Sequence, residues 1–365
     1  MKSLSLLIFF LTNIFLGYSQ SPVYTLQDFY GNSIALDQKV DSVYTSLSEK
    51  QRIAQMIITS AGELGKPQSV VNDLAQKGAI GGVVFLKGTK ANHTEHIQAL
   101  NKLTTAHGIP SLLYSMDAEP SLLSSRIKGA KNVGKTIDIK TEAQSDEVVA
   151  VINSELKAIG VHHNYAPVLD VSTANEAIKS RSYGSDKNQV VKLANRFIEK
   201  SQEGGIIATA KHFPGHGLVS GDTHKQSVYI DGPLQEVSNY EKIIANGVLS
   251  IMIAHITIKN NEKYNTNGLP ASCSRKIVTG LLREEMGFEG IIISDALNIM
   301  KAVTILDNAP LLASKAGCDL ILMPQDEEKT IAAIQNEIEK DPDYKDQIET
   351  SIKKVIRLKI VAGVL

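Results

Sequence analysis

The sequence predicts a parallel α/β fold closed as a (β/α)8 TIM barrel, and three observations carry that prediction. Short apolar runs alternate with amphipathic helical stretches along the chain, and several runs are apolar at successive positions, as strands covered on both faces are. Polar residues stand just past the end of one run after another, the arrangement that a barrel gathers onto a single face. An open doubly wound sheet is the structural alternative, but no Gly-x-Gly-x-x-Gly follows an early strand.

In chain order the strand candidates are Ile53 to Ile58, Ile80 to Phe85, Ser111 to Met116, His163 to Leu169, Ile206 to Ala210, Ser250 to Ala254, Gly290 to Ile293 and Asp319 to Met323. Helical spacing marks Ser145 to Ile159, Asn188 to Glu203, Lys276 to Met286 and Glu327 to Glu339 between them. A last helix, Asp346 to Ile360, ends almost at the C-terminus, and there is no Pro- or Ser-rich linker or internal repeat. We therefore expect a single domain over residues 21–365, with about eight strand–helix units.

Residues 1–20 read differently. Met1-Lys2 precedes an apolar stretch from Leu4 to Leu16 that gives way to small and polar residues near Ser19 to Ser21. That is a secretory leader with its cleavage zone, and Thr12 and Asn13 interrupt it in a way that suits a bilayer span poorly. We expect a mature protein that is periplasmic or secreted and carries no membrane span. With 365 residues, 43% of them hydrophobic, the chain can bury a large core. Lys and Arg number 38 against 39 Asp and Glu, which leaves no electrostatic footprint for nucleic acid or an anionic membrane. A small, weakly charged ligand fits better, and we expect a monomer. The only cysteines, Cys273 and Cys318, sit in apolar surroundings and are expected to be buried thiols, with pairing as the alternative.

Asp117, Asp170, Lys211 with His212, His255 and Asp295 each follow a different strand candidate. The densest patch is Lys211-His212-Phe213-Pro214-Gly215-His216-Gly217, followed by Asp222-Thr223-His224. Packing needs no such concentration of polar groups, because buried polar groups are costly unless each finds a partner. Asp295 ends the apolar run Ile291-Ile292-Ile293-Ser294, a place that suits either a partly desolvated nucleophile or the cap of a following helix. His224 has Asp222 two positions earlier, so it reads either as an oriented proton donor and acceptor or as a plain loop histidine. His212, His216, His224 and Asp222 also have the chemistry of metal ligands, although Pro214-Gly215 interrupts any helical spacing between the first two.

The combination is more specific. Lys211 to Gly217, Asp222-Thr223-His224 and Ser294-Asp295-Ala296-Leu297 resemble the signature of glycoside hydrolase family 3, in its bacterial β-N-acetylglucosaminidase branch. Further matches are Phe85 to Gly88, Met116-Asp117-Ala118-Glu119, Tyr165 to Val171, Arg181-Ser182-Tyr183-Gly184, Ala316-Gly317 and Leu322-Met323-Pro324, in family order along nearly the whole mature chain. The resemblance implies an exo-acting, retaining β-N-acetylhexosaminidase working without cofactor or metal on peptidoglycan fragments or chito-oligosaccharides. Asp295 would be the nucleophile and His224, partnered by Asp222, the acid/base; Lys211, His212, Arg181 and Asp117 would hold the sugar. Gly215, Gly217 and Gly221 would let the histidine loop move, and His216 would shape it.

Three stretches depart from the family pattern. Pro120-Ser121-Leu122-Leu123-Ser124-Ser125-Arg126 replaces a Gly pair and Arg, so Arg126 matches the sugar-binding Arg only after a one-residue shift. Leu218-Val219-Ser220 stands where Asp-Thr is common, and Asn298-Ile299-Met300 carries one extra residue. A β-glucosidase, a glycoside phosphorylase, a sugar-binding pseudoenzyme and a metal-dependent hydrolase remain the alternative readings.

Overall fold

The computed structural model describes residues 24–172, 175, 177–219 and 228–365. The expected leader, residues 1–20, lies outside the described residues, as do Gly221, Asp222 and His224. Eight strands build the barrel: β1 (Ile57–Ala61), β2 (Gly82–Phe85), β3 (Leu113–Met116), β4 (His163–Asn164), β5 (Ile207–Phe213), β6 (Ser250–Ile253), β7 (Ile291–Ser294) and β8 (Ile321–Leu322). Their hydrogen-bonded order is β7-β6-β5-β4-β3-β2-β1-β8, and every pairing is parallel. The circle closes where Ile293 pairs with Leu320 and the Ser294 amide donates to the Leu320 carbonyl at 3.1 Å. The closed parallel barrel expected from the sequence is the observed fold.

Closure explains the continuous apolar runs. One face of each strand fills the barrel and the other lies under helices, so Ile291, Ile292 and Ile293 are all fully buried. The helices start on side-chain caps that cover otherwise unpaired amides: Thr141 for Glu142–Ile159, Asp186 for Lys187–Glu203, Asp326 for Glu327–Ile338 and Asp341 for Pro342–Val361. Gly160, at φ 96°, ends the first of these in the left-handed conformation that its position requires. Pro342–Val361 packs against the N-terminal helix Ile34–Ser46, tying the two ends of the described chain together.

Two strand expectations shift. The first was placed at Ile53 to Ile58, but Ser48 and Gln51 form a reciprocal capping box that commits Glu49–Ala54 to helix, and β1 begins at Ile57. The fourth was drawn to Leu169; the regular strand ends at Asn164 and Pro167 has no N–H to donate, yet the segment stays bonded to β5, with the Thr209 and Lys211 amides donating to the Ala166 and Pro167 carbonyls and the Leu169 amide to the Lys211 carbonyl. Two parallel ribbons were not foreseen: Gly88–Thr89 with Ile127–Lys128, and Val228–Asp231 with Ile256–Lys259. Cys273 and Cys318 are buried free thiols. Among the described residues no helix is long and apolar enough to cross a membrane.

At the opposite end from the strand C-termini, Lys359 is fully buried, with Nζ donating to Gln55 Oε1 at 2.6 Å and to the Ser111 carbonyl at 2.9 Å. No carboxylate among the described residues pairs with it, and burial pushes its pKa down to about 7. A lysine in the unfolded chain titrates near 10.4, so between these values the unfolded state binds more protons and stability should rise with pH. Denaturant titrations should show wild type gaining about 2 kcal/mol relative to Lys359→Met between pH 7 and 9. Parallel pH curves for the two proteins would contradict this.

Candidate active site

The C-terminal ends of the strands converge on a cavity of about 240 Å³. Its polar wall comprises Asp117, Arg126, Arg181, Lys211, His212 and Asp295. Each arrives from a different segment: Asp117 just past β3, Arg126 on the short helix Leu123–Arg126, Arg181 on a single turn at Lys179–Arg181, Lys211 and His212 within β5, and Asp295 just past β7. The structure therefore brings together six of the eight residues singled out from the sequence. Asp222 and His224 are the other two, outside the described residues. The opposite wall is apolar and includes Leu86, Leu122, Ile299, Met300 and Met323, so two of the departing stretches face the ligand space.

Lys211 organises the polar wall. Its ammonium is nearly inaccessible and lies 2.6 Å from both Asp117 Oδ1 and Glu119 Oε1. Arg181 grips Glu119 with both arms of its guanidinium, Nη2 to Oε1 at 2.7 Å and Nε to Oε2 at 2.9 Å. Arg126 Nη2 donates to Asp117 Oδ2 at 2.9 Å, which places the shifted arginine at the site. Arg126 Nε is buried with no protein partner among the described residues, leaving a donor to be satisfied at this edge of the cavity. Burial would raise the Asp117 pKa, but Lys211, Arg126 and Arg181 hold its carboxyl far below the usual carboxylate range.

His212 is oriented by Asp170. Nδ1 donates to Asp170 Oδ2 at 2.6 Å, which leaves Nε2 for a ligand. Asp170 Oδ1 also accepts the His216 amide at 2.8 Å, so one carboxylate sets both histidine positions. Burial holds the His216 pKa down, and its ring lies edge-on to that of His212, 5.9 Å between centroids. Among the described residues no three or more His, Cys, Asp or Glu side chains gather as a metal site.

Asp295 is half-buried, and its Oδ1 accepts the Ala296 amide at 2.7 Å. Among the described residues Oδ2 has no hydrogen-bond partner. Burial would raise its pKa, but His255, His212, the Ala296 amide and Lys211 outweigh that and lower it, so the carboxylate is ionised at neutral pH. His255 lies behind it. Its Nε2 donates to the Ala296 carbonyl at 3.1 Å and its Nδ1 accepts from Ser272 Oγ at 2.6 Å, while burial lowers its own pKa. An ionised carboxylate with one oxygen committed and one free is a competent nucleophile.

Two acidic residues were given no role from sequence. Glu119 was part of a matched motif, but nothing in its neighbours signalled that it bridges two cations. Glu236 lies in a polar loop without periodicity and is 5% exposed, accepting the Val171, Gly217 and Leu218 amides. Burial and the facing Asp170 carboxylate push its pKa up to about 8, with those three amides acting in the opposite sense. Gly215 and Gly217 also need correction. A Cβ on Gly215 would lie 2.4 Å from Glu236 Cβ, and one on Gly217 2.1 Å from the Val171 carbonyl oxygen. They permit close packing, where freedom of motion was expected.

Removing one partner of a buried charge network leaves the others uncompensated. Glu119→Ala should therefore cost about 3–5 kcal/mol of stability at pH 7 in urea unfolding. A loss below about 1 kcal/mol would mean that Lys211 and Arg181 do not depend on this carboxylate.

The comparisons with known proteins agree with this geometry. The family model for the "Glycosyl hydrolase family 3 N terminal domain" matches residues 47–358. A beta-hexosaminidase of Vibrio cholerae serotype O1 (strain O395) is 31% identical over 278 residues, 72% of this chain and 81% of the relative. One from Glaesserella parasuis serovar 5 is 33% identical over 195 residues, 51% of this chain, and the match spans only 56% of that relative's length. A solved glycoside hydrolase family 3 beta-N-acetylglucosaminidase from Paenibacillus sp. str. FPU-7 superposes with a TM-score of 0.77 at 26% identity, over 87% of this chain and 63% of that one. With the family model matched across the barrel, the chain belongs to glycoside hydrolase family 3.

Proposed function

We propose that this protein is an exported, retaining exo-β-N-acetylglucosaminidase that removes terminal GlcNAc from peptidoglycan fragments or chito-oligosaccharides. The observation that carries the reading is the ionised Asp295 carboxylate, whose Oδ2 has no hydrogen-bond partner among the described residues, on the wall of a cavity lined by hydrogen-bonding groups suited to hydroxyls. The names borne by the relatives, beta-hexosaminidase and beta-N-acetylglucosaminidase, supply the sugar. Export rests on residues 1–20, and a monomer remains our expectation.

In the first step Asp295 Oδ2 attacks the anomeric carbon as the glycosidic C–O bond breaks, and the leaving oxygen takes a proton from the His224 imidazolium. In the second, neutral His224 takes a proton from water as its oxygen attacks the same carbon and releases the Asp295 carboxylate. Asp222 would orient His224 and favour its charged form. Lys211, His212, Asp117, Arg126 and Arg181 would bind the sugar hydroxyls. An imidazole titrates near neutrality without much tuning, so it suits a proton that must leave and return.

Steady-state kinetics on aryl β-GlcNAc and aryl β-glucosides test this. Wild type should prefer aryl β-GlcNAc, and Asp295→Ala should lose about 10³-fold or more in kcat/KM. His224→Ala should lose about 10²- to 10⁴-fold on poor leaving groups and far less on good ones. Phosphate should leave the rate unchanged. Glycosyl phosphate as the product would replace hydrolysis with phosphorolysis, and turnover by Asp295→Ala equal to wild type would overturn the assignment.

A further inference from the structure

We propose that Glu236, with Asn175, is a positioning residue for proton transfer: together they fix the root of the segment that leads to His224. This rests on the reading of His224 as acid/base. Neither side chain lines the sugar cavity. Their hydrogen bonds within the described residues go to backbone at His216–Val219 and at the loop after β4, apart from an Asn175 Nδ2 contact with His216 Nδ1 at 3.4 Å.

Glu236 Oε1 accepts the Val171 amide at 2.6 Å, and Oε2 accepts the Gly217 amide at 2.9 Å and the Leu218 amide at 3.2 Å. Asn175 Nδ2 donates to the His216 and Val219 carbonyls, both at 2.8 Å, while its Oδ1 accepts the Ala177 and Ile178 amides at 2.9 and 3.0 Å. Val219 is buried in a small apolar cluster with Val228, Ala254 and Ile256. Consecutive residues from His216 to Val219 are thus held by side chains from two other segments, and Asp170 joins this root to His212 through the His216 amide.

A buried carboxyl group facing Asp170 is a costly way to hold a loop that needs only shape. Both of its oxygens serve as acceptors, for three amides converging from two segments. Glutamine keeps the shape but turns an N–H toward amide N–H groups. His224 follows Val219 by five residues, a reach of at most roughly 17 Å. A shift of the root moves the point from which the chain runs on to His224, and a displacement of about 1 Å at a reacting group can cost about 10²-fold.

The test compares kcat/KM, which reports formation of the covalent intermediate, for aryl β-GlcNAc substrates with poor leaving groups and with 2,4-dinitrophenolate. Glu236→Gln and Asn175→Ala should each lose about 10- to 100-fold on the poor leaving groups and stay within about threefold of wild type on the dinitrophenyl substrate. Competitive inhibition by GlcNAc should be unchanged in both. Asn175→Ala keeps the question open to experiment should Glu236→Gln fail to fold. Equal losses on both substrates, weakened GlcNAc inhibition or no loss at all would overturn the positioning role. His224→Ala, run alongside, separates the two claims. If it lacks leaving-group selectivity the acid/base reading fails; if it has it and the other two variants do not, the positioning role alone fails.

Discussion

Lys211, whose side chain is 3% exposed, holds its Nζ between two carboxylates from the end of another strand, Asp117 and Glu119, at 2.6 Å from each. Such a charge persists in a protein interior only when it is fully paired, so the pairing fixes where the ends of β3 and β5 lie relative to each other. Arg181 and Arg126 extend the same network to the loops after β4 and β3. The cavity's polar wall is thereby set before any ligand enters. That is the condition under which hydrogen bonds to a sugar need no further ordering.

The same charges govern the chemistry across the cavity. Asp295 lies where burial alone would favour the protonated acid, and the nearby positive groups and the Ala296 amide reverse that. Its side chain lines a space whose other wall is aliphatic, with Leu122, Ile299 and Met300 among its residues. All three come from stretches that depart from the family pattern, so two of the three departing stretches lie where ligand selectivity would be set. Asp117, Glu119, Arg181, Lys211 and Asp295 follow the family order, while Arg126 joins their network from a departing stretch.

Much of this was legible in the sequence because a closed barrel imposes a simple signature. Strands covered on both faces must be apolar throughout, and whatever polar residue ends them must face the site; Asp117, Lys211, His212 and Asp295 were found this way. Periodicity could not see competing local bonds. Ser48 and Gln51 turned the first apolar run into a helix end, and Pro167, with no N–H to donate, made the second half of the fourth run irregular. Glu236 was invisible because its partners are backbone amides more than fifteen residues away in sequence. The glycines of the Lys211 loop were misread for a related reason: composition shows that a residue is small, while only packing shows whether the space is empty or filled.

The central claim is that Asp295 carries the reaction. A fluorinated N-acetylglucosaminyl fluoride, whose glycosyl-enzyme turns over slowly, would trap the intermediate, and mass spectrometry of the proteolysed protein would locate it. The account predicts one equivalent of sugar on the peptide containing Asp295. Label on another carboxylate, or full turnover with no covalent adduct, would contradict it.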